Sequence, residues 1–399
     1  MLKTLYVGID ISHKTNLAQF MNQEGELVRK PFNFPNNRDG LETFVAQLIP
    51  IISSQDYSQV KIGMEATGYY WWHLREYLDE HPLLRNINTQ LFLINPSLIK
   101  AFKDAYTTLP KTDYVDAWVI ADRLRFGRLK PLTEKDLRYQ PLQRLTRLRY
   151  TLVRSTIAEK NRALGLLFLK FSEYTNVAGN RVFAKGPMTL LSEFTLDEIL
   201  DKPVEELAQF IIEAGNARFS NPELFVEELK KAVHRSYRLN SKMQNSVDVA
   251  LSMTMENIQF FKGQIKKLDR VIDKEVEAIP NTLGSVPGIG PVLAAGIISE
   301  VGDITRFHGH AALAKSAGLT WTRYQSGEFE AEETSLTKAG NLYLRYYLVE
   351  AASSLRLHNP EYAAFYKRKY DEVPKHQHKR ALVLTARKFV RLVFALLSK

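Results

Sequence analysis

The stretch Leu5-Tyr-Val-Gly-Ile-Asp10, close to the start of the chain, decides the fold of the residues that follow it. Its mostly apolar run predicts a buried β-strand, and Asp10 stands where that strand ends. Outward from it, residues 15–21 and 27–34 predict two more strands around a turn at 23–26. The chain therefore begins with a three-stranded meander that delivers a carboxylate to one edge of a sheet.

A second strand that ends in an acid comes later, as Val60-Lys-Ile-Gly-Met-Glu65. An amphipathic helix that opens at residues 36–40 lies between the two acidic strands. A helix after residue 70, a fifth strand at 91–94 and a helix from Asn95 complete the pattern. Three hairpin-connected strands followed by alternating helices and strands predict a ribonuclease-H-like α/β fold.

Residues 111–117, Lys-Thr-Asp-Tyr-Val-Asp-Ala, add two acids three positions apart. The apolar spacing that follows them predicts a helix, on which Asp113 and Asp116 share one face. Two interpretations stay open for this pair alone. The carboxylates either form part of a functional site or are a solvated first turn favoured by the helix dipole.

Four acids, Asp10, Glu65, Asp113 and Asp116, are thus predicted to meet at one edge of the sheet. Clustered carboxylates raise one another's pKa, so the ionised group is stable at neutral pH only with cations present. Hard oxygen ligands suit Mg²⁺, with Mn²⁺ as the second choice. Two such ions about 4 Å apart serve phosphodiester chemistry, so the four acids predict a nuclease-type metal centre.

Composition narrows the class of protein. The 399 residues carry a formal net charge of +10, with 54 Lys and Arg against 44 Asp and Glu, which favours an anionic partner such as nucleic acid. There is no cysteine, which excludes disulfides and cysteine-ligated zinc. No run of about twenty apolar residues, Walker loop or Rossmann fingerprint is present. A soluble, cytoplasmic protein without a membrane partner is predicted.

The length predicts more than one domain, and we expect boundaries near 135 and 280. Residues 136–280 are predicted to be a helical linker, with a basic helix at 142–170, an irregular part at 174–220 that we interpret as an inserted subdomain, and one long helix at 222–278. Leu251, Ile258, Ile265 and Ile272 recur at steps of seven, which is typical of a coiled coil. Packing of this helix inside its own domain is the alternative to oligomerisation.

Residues 281–399 are predicted to be a mainly helical third domain. Residues 286–290, Val-Pro-Gly-Ile-Gly, match a helix-hairpin-helix, whose backbone N–H groups bind DNA phosphates without selecting bases. Residues 319–333 predict an exposed loop around Ser326, and by spacing alone such a serine is a turn former. The last helix carries basic residues on one side.

The aromatic run at residues 69–72, Tyr-Tyr-Trp-Trp, also has two interpretations. Aromatic rings can stack on unpaired bases. Because this run follows a strand and opens a helix, core packing is the prediction we favour.

With these motifs in order, the chain resembles the DEDD-type transposases of the IS110 family of insertion sequences. The front half carries Tyr6-Val-Gly-Ile-Asp10, Met64-Glu-Ala-Thr-Gly68, Ile94-Asn-Pro-Ser97 and the stretch at 111–117. The back half carries 286–290, Ala317-Gly-Leu319, Arg323-Tyr-Gln-Ser-Gly327 and the segment from Thr337 to Arg345. The middle of the chain is longer than in short members of that family, and Thr337 stands where a serine is usual.

The resemblance implies a RuvC-like domain at 1–135, in which the four acids bind Mg²⁺, and a transposase domain at 281–399. It also implies that Ser326 is the nucleophile, which holds DNA through a 5'-phosphoserine link during strand exchange. A structured guide RNA, the bridge RNA, would choose donor and target DNA. The acids and the serine would meet between subunits of a dimer or tetramer.

What the resemblance implies is therefore an RNA-guided DNA recombinase. The residues expected to contact nucleic acid are Arg144, Arg147, Arg154, Gly288, Gly290, Arg323, Lys338, Arg345, Lys379, Arg380 and Arg387. The rival enzymes are a Holliday-junction nuclease that uses metal-activated water and a DNA invertase of the same family. A nucleic-acid-binding scaffold without catalytic activity is the rival from another class.

Overall fold

The structure is a computed structural model. It describes all residues except 1–2, 67, 107–109, 111, 133–136, 216–218, 323–324, 327–328 and 331–334, and only the backbone of 325–326 and 329–330. The chain forms two compact units, Met1–Leu137 and Arg138–Lys399. The first unit ends two residues beyond the boundary expected near 135. The further division of the second unit near 280 stays a prediction.

A five-stranded mixed sheet forms the centre of the first unit. The strands are β1 (Thr4–Ile11), β2 (Thr15–Met21), β3 (Phe32–Pro35), β4 (Gln59–Glu65) and β5 (Asn88–Ile94). Their spatial order is β3-β2-β1-β4-β5, with β1, β2 and β3 antiparallel and β1, β4 and β5 parallel. The predicted meander followed by parallel strands is confirmed. The third strand is shorter than predicted, because in the 27–31 segment only Leu27 forms an isolated bridge, to Met21.

Helices cover both faces of this sheet. They are α1 (Arg38–Ser54), α2 (Trp71–Glu80), α3 (Pro82–Arg85), α4 (Pro96–Lys103) and α5 (Asp113–Phe126). Phe44 and Leu48 of α1 and Leu74 of α2 are fully buried in one hydrophobic core. Val119 and Ile120 of α5 are buried in a second core with Phe92 of β5. The sheet is therefore buried on both sides, as the apolar runs of its central strands require.

The second unit is almost entirely helical. Its first part contains α6 (Gln140–Lys170), α7 (Tyr174–Ala178), α8 (Lys185–Glu193), α9 (Leu196–Asp201), α10 (Val204–Ala214), α11 (Pro222–Arg235) and α12 (Ser241–Glu277). The prediction of one helix over 222–278 is wrong, because residues 236–240 separate α11 from α12. The side chain of Asn240 caps α12 by accepting from the backbone N–H of Met243 at 2.9 Å.

Helices α6 and α12 pack antiparallel within the chain. Two ion pairs fix their register, Arg149 to Asp269 at 2.6 Å and Lys170 to Asp248 at 2.8 Å. Of the heptad residues, Leu251 and Ile258 lie in a core with the short helices α7 to α11, and Ile272 lies in the core of the last part of the chain. These heptad positions therefore pack inside one chain. A coiled coil between chains stays a prediction.

The last part of the chain contains α13 (Pro291–Val301), α14 (His310–Ser316), α15 (Leu342–His358), α16 (Pro360–Asp371) and α17 (Gln377–Leu397). Residues 286–290 connect a short 3-10 turn, Leu283–Ser285, to α13. Gly288 has a φ of +93°, and its carbonyl accepts a hydrogen bond from Ser354 of α15 at 2.6 Å. Because a 3-10 turn stands directly before the glycines, the helix-hairpin-helix stays a prediction.

No helix in the described part of the chain combines the length and the apolar character needed to cross a bilayer.

Candidate active site and nucleic-acid interface

Two of the predicted acids lie at the carboxyl ends of neighbouring parallel strands. Asp10 is the last residue but one of β1, and Glu65 is the last residue of β4. The register pairs Ile9 with Met64, so that the residues which follow this pair emerge side by side. The carboxyl ends of parallel strands are the usual place for a binding site in open α/β sheets.

The other two acids lie in the first turn of α5. Asp113 is exposed, and the side chain of Asp116 is about one-third exposed. Helix α5 lies against the centre of the sheet because Gly8 of β1 has no side chain. A Cβ at that position would stand 2.1 Å from the carbonyl oxygen of Ala117. Gly8 therefore lets the backbones of the acidic strand and the acidic helix approach closely, a function that the sequence pattern did not reveal.

Electrostatic coupling joins the four acids. The pKa of Asp10 is raised from 3.8 to about 6, first by burial and then by the negative charges of Asp116, Asp113 and Glu65, against a backbone hydrogen bond that lowers it. Every carboxylate in that set was selected from the sequence. The group therefore has the property expected of clustered acids, which is a member whose pKa is raised above its ordinary value in the absence of a cation.

One of the four acids pairs with a lysine that the sequence did not single out. Lys103, the last residue of α4, pairs with the carboxylate of Asp116 at 2.5 Å. Among the described residues, no three ligand-type side chains converge closely enough to hold a metal ion as they stand. The donors fit Mg²⁺ or Mn²⁺ by their chemistry, all four being carboxylates, one of them partly desolvated. For Asp116 to bind a metal ion, its ion pair with Lys103 would have to break.

The third acid of α5, Asp122, has a structural role. The Asp122 carboxylate is buried, accepts a hydrogen bond from the Tyr106 hydroxyl and pairs with Arg125 at 2.7 Å. Burial and this bond raise the pKa of Tyr106 to about 12. With its charge already compensated, Asp122 is not a candidate ligand.

Ser326 lies in a β-hairpin and not in the predicted loop. Gln325–Ser326 pairs antiparallel with Phe329–Glu330, and a bridge between Trp321 and Leu336 extends the pairing toward the base. The side chain of Ser326, together with Arg323 and Gly327, lies outside the described residues. At the base, the hydroxyls of Thr320 and Thr337 are 3.1 Å apart.

Arg345 holds that base together. Its guanidinium donates to the carbonyl oxygens of Ala317 and Lys338, each at 3.0 Å. One arm of the hairpin follows Ala317 and the other precedes Lys338. This use of Arg345 is structural, and its predicted contact with nucleic acid stays a prediction.

The predicted basic residues of α6 differ in their surroundings. Arg147 makes a bidentate ion pair with the buried carboxylate of Glu300, at 2.7 and 2.9 Å, and stacks over Tyr343. Asn341 also donates to Glu300 at 2.6 Å, so that α6, α13 and the start of α15 share one buried charge. Arg144 and Arg154 are exposed.

Lys262 of α12 is a basic residue that the sequence analysis did not select. The pKa of Lys262 is lowered by burial and by the neighbouring charge of Lys160. Two ammonium groups from α6 and α12 thus repel each other, a situation that a phosphate would relieve. Heptad spacing predicts which positions face inward within one helix, but not which lysines of two helices become neighbours.

Helix α17 carries three of the predicted contact residues. Lys379 is exposed, and Arg380 pairs with Glu372 at 3.1 Å. Arg387 is half-buried, and within the described residues its buried Nη1 has no hydrogen-bond partner. Burial and the charge of Arg391 lower the pKa of Arg387. Of the three residues, Arg387 is therefore the one whose charge an anion would stabilise most.

Comparisons with known proteins agree with this geometry. A transposase model named for the DEDD transposases of IS110 matches residues 7–171, and a model described as the transposase IS116/IS110/IS902 family matches residues 281–367. The chain is 25% identical to an uncharacterized 44.8 kDa protein of insertion element IS116 from Streptomyces clavuligerus, over 98% of this chain and 94% of that protein. It is 24% identical to the transposase for insertion sequence element IS1111A from Coxiella burnetii, over 89% and 81%.

Among solved structures, Thermus thermophilus RuvC in complex with a Holliday junction substrate matches 32% of this chain and 99% of that one, with 12% identity and a TM-score of 0.24.

Two transposase models that match in order, one over the acidic sheet and one over the C-terminal helices, define the class of this protein as the transposase of an insertion sequence. It belongs to the IS110 family.

Proposed function

We propose that this transposase cuts and rejoins DNA at a composite centre, in which the four acids hold Mg²⁺ and Ser326 attacks the DNA backbone. The observation that carries the proposal is the coupling of Asp10 to Asp116, Asp113 and Glu65. A carboxyl whose pKa is raised by three specific neighbours at a strand end is a typical mark of a functional site.

The acids have distinct tasks in this proposal. Asp10, partly buried near the end of β1, would serve as a ligand once ionised. Glu65, Asp113 and Asp116 would complete the donor set, and Asp116 would leave Lys103 to do so. When bound, the ions lower the pKa of an attacking hydroxyl and neutralise charge on the leaving oxygen. Lys103, released from Asp116, stays beside the site as a cation that can hold a phosphate oxygen.

Ser326 is proposed as the attacking group on the strength of its match to the family motif. Its hydroxyl oxygen forms an ester bond with a backbone phosphorus while the bond to the deoxyribose 3'-oxygen breaks. The serine proton is lost and the leaving oxygen gains one, so the reaction is a transesterification that conserves the phosphodiester energy. Reversal by a different 3'-hydroxyl exchanges strands. No co-reactant is consumed.

The acids belong to the first compact unit and Ser326 to the second. We propose that a complete centre uses the acids of one subunit and the serine of another, as the family resemblance implies. Guidance by a structured RNA rests on the same resemblance. The charge of +10 supports a nucleic-acid partner of either kind.

The acid centre is tested by Asp113→Asn and Asp116→Asn, which keep side-chain size but remove a ligand charge. We expect each to lower DNA cleavage by about a hundredfold or more, since the loss of even an outer-shell partner of a metal site costs about ten- to a hundredfold. Asp104→Asn, an exposed acid just beyond α4, is the matched control and keeps activity. Cleavage of a labelled duplex carrying the element's ends, with its RNA present, is the measurement. Full activity in both ligand variants would contradict the metal site.

Nucleic-acid binding by α17 is tested by Arg387→Gln. The change removes a half-buried charge that repels Arg391, so we expect a higher unfolding temperature together with weaker binding. The slope of log affinity against log salt should fall by about 1, the value for one phosphate contact. Lys388→Gln is the control, because Lys388 already pairs with Glu361 at 2.6 Å. If Arg387→Gln raised the unfolding temperature but left the salt dependence of binding unchanged, Arg387 would not contact a phosphate.

A further inference from the structure

A groove of about 790 Å³ opens on the first compact unit beside the ends of the acidic strands. Its walls include His13, Tyr69, Tyr70, His73, Glu76 and Tyr77. Binding pockets for small organic groups occupy about 300–1,000 Å³. The groove therefore has room for one or two planar heterocycles with their sugars.

The aromatic run at 69–72 divides between core and groove. The side chain of Trp71 is 5% exposed and packs in the core, whereas Tyr69 is 63% and Tyr70 46% exposed. The prediction of core packing is therefore wrong for the two tyrosines. The Tyr70 ring meets His13 edge to face, with centroids 5.4 Å apart. This contact fixes the orientation of Tyr70 and leaves part of its surface exposed to the groove.

Several residues of the groove wall follow the acids closely in the sequence. His13 follows Asp10 by three residues, in the turn after β1. Tyr69 and Tyr70 follow Glu65 by four and five residues, in the turn between β4 and α2. The two strands that carry Asp10 and Glu65 thus deliver part of the groove wall with the residues that follow them.

The charges of the groove select which part of a nucleotide enters it. Among the described lining residues, Glu76 and Glu80 are the acids and Arg38 is the one Lys or Arg, and Arg38 pairs with Glu42 at 3.2 Å. Two carboxylates repel a phosphate, but they accept hydrogen bonds from the exocyclic amino groups of cytosine, adenine or guanine. Exposed tyrosine rings offer a stacking surface for any base.

We propose that this groove holds an unpaired base, extruded from the strand whose phosphates cross the acid centre. The proposal deepens the proposed function, on which it rests, by naming a specificity site for the same reaction. A base fixed in the groove sets which phosphate lies over the acids. Tyr70 then acts as a positioning residue for the scissile phosphate.

The test is equilibrium binding of fluorescently labelled eight-nucleotide single strands to the full-length protein in EDTA, where no cleavage occurs. We expect Tyr70→Ala to weaken binding of oligo-dC by about tenfold, the loss typical of one stacked base. Tyr70→Phe keeps the ring and should bind as the unchanged protein does. Tyr237→Ala is the matched control, because Tyr237 is a 78% exposed tyrosine in the other compact unit.

Base identity tests the carboxylates. Oligo-dC should bind more tightly than oligo-dT, because thymine has no exocyclic amino group. Glu76→Gln should lower the ratio of the two affinities. The same measurements with RNA strands show whether the base comes from DNA or from RNA. The groove holds the kind of strand whose affinity falls more on Tyr70→Ala. The proposal is overturned if Tyr70→Ala binds oligo-dC normally, or if Tyr237→Ala weakens it equally. Binding in EDTA needs no metal ion, whereas a failed acid centre is detected in the separate cleavage assay of Asp113→Asn and Asp116→Asn, so a failed acid centre and a failed groove give different results.

Discussion

The Ser326→Ala protein is expected to form no denaturant-resistant link to DNA, with a loss of at least about a thousandfold in adduct and in strand exchange. An alanine has no hydroxyl to form the phosphoester, and the acid centre cannot replace it. The measurement is electrophoresis of the protein with labelled DNA and guide RNA under denaturing conditions. Ser335→Ala is the control from the same hairpin, where the backbone carbonyl of Ser335 accepts from the Thr322 N–H at 2.9 Å.

The products decide between this mechanism and its rivals. A nuclease that activates water leaves free 5'-phosphate ends and no adduct, and its cleavage persists in Ser326→Ala. A scaffold without catalytic activity gives neither product, and Asp113→Asn, Asp116→Asn and Ser326→Ala all leave cellular recombination unchanged. An adduct that survives in Ser326→Ala would remove the serine assignment. Comparing adduct formation with and without the guide RNA tests separately whether RNA guides the reaction.

The acids could be predicted from the sequence because strand ends and helix starts are local features. An apolar run that ends in an acid places that acid at a sheet edge whatever the rest of the chain does, and β1 and β4 both obey this rule. The close approach of α5 depended on Gly8 meeting Ala117 across more than a hundred residues. Such a contact is set by packing, which no local pattern records.

Several surroundings could not be predicted from the sequence because they depend on tertiary neighbours. Lys103 was unremarkable in the sequence and became the partner of Asp116 through the packing of α4 on α5. Arg147 matched a basic helix face and is paired to Glu300, a residue 153 positions away. The turn at 236–240 contains no proline or glycine, so the helical pattern ran through it without an obvious stop. Ser326 needed the family motif, since hairpin and loop serines look alike in sequence.

Asp10→Asn is expected to stabilise the first compact unit at pH 7.5 while abolishing cleavage. The pKa of Asp10 is about 6 in the fold, against 3.8 without it, so the folded state binds more protons than the unfolded state between those values. Its contribution to stability is therefore lost as the pH rises from about 4 to above 6. At pH 7.5 ionisation costs the folded protein about 3 kcal/mol, which an uncharged amide does not incur.

Urea unfolding followed by tryptophan fluorescence measures this effect. Three of the four tryptophans, Trp71, Trp72 and Trp118, lie in the first unit, and Trp321→Phe removes the signal of the other. In that background the gain from Asp10→Asn should approach 3 kcal/mol at pH 7.5 and vanish near pH 4. Asp104→Asn should give no such gain, because Asp104 is exposed.

Mg²⁺ separates charge repulsion from other causes of the gain. Because a bound cation neutralises the four acids, Mg²⁺ at pH 7.5 should raise the stability of the unchanged chain toward that of Asp10→Asn. The variant has lost its central ligand, so its own response to Mg²⁺ should be much smaller. A gain of equal size at pH 4 and pH 7.5 would mean that Asp10 is destabilising for reasons of shape. The acid cluster would then lose the electrostatic argument on which the proposed metal centre stands.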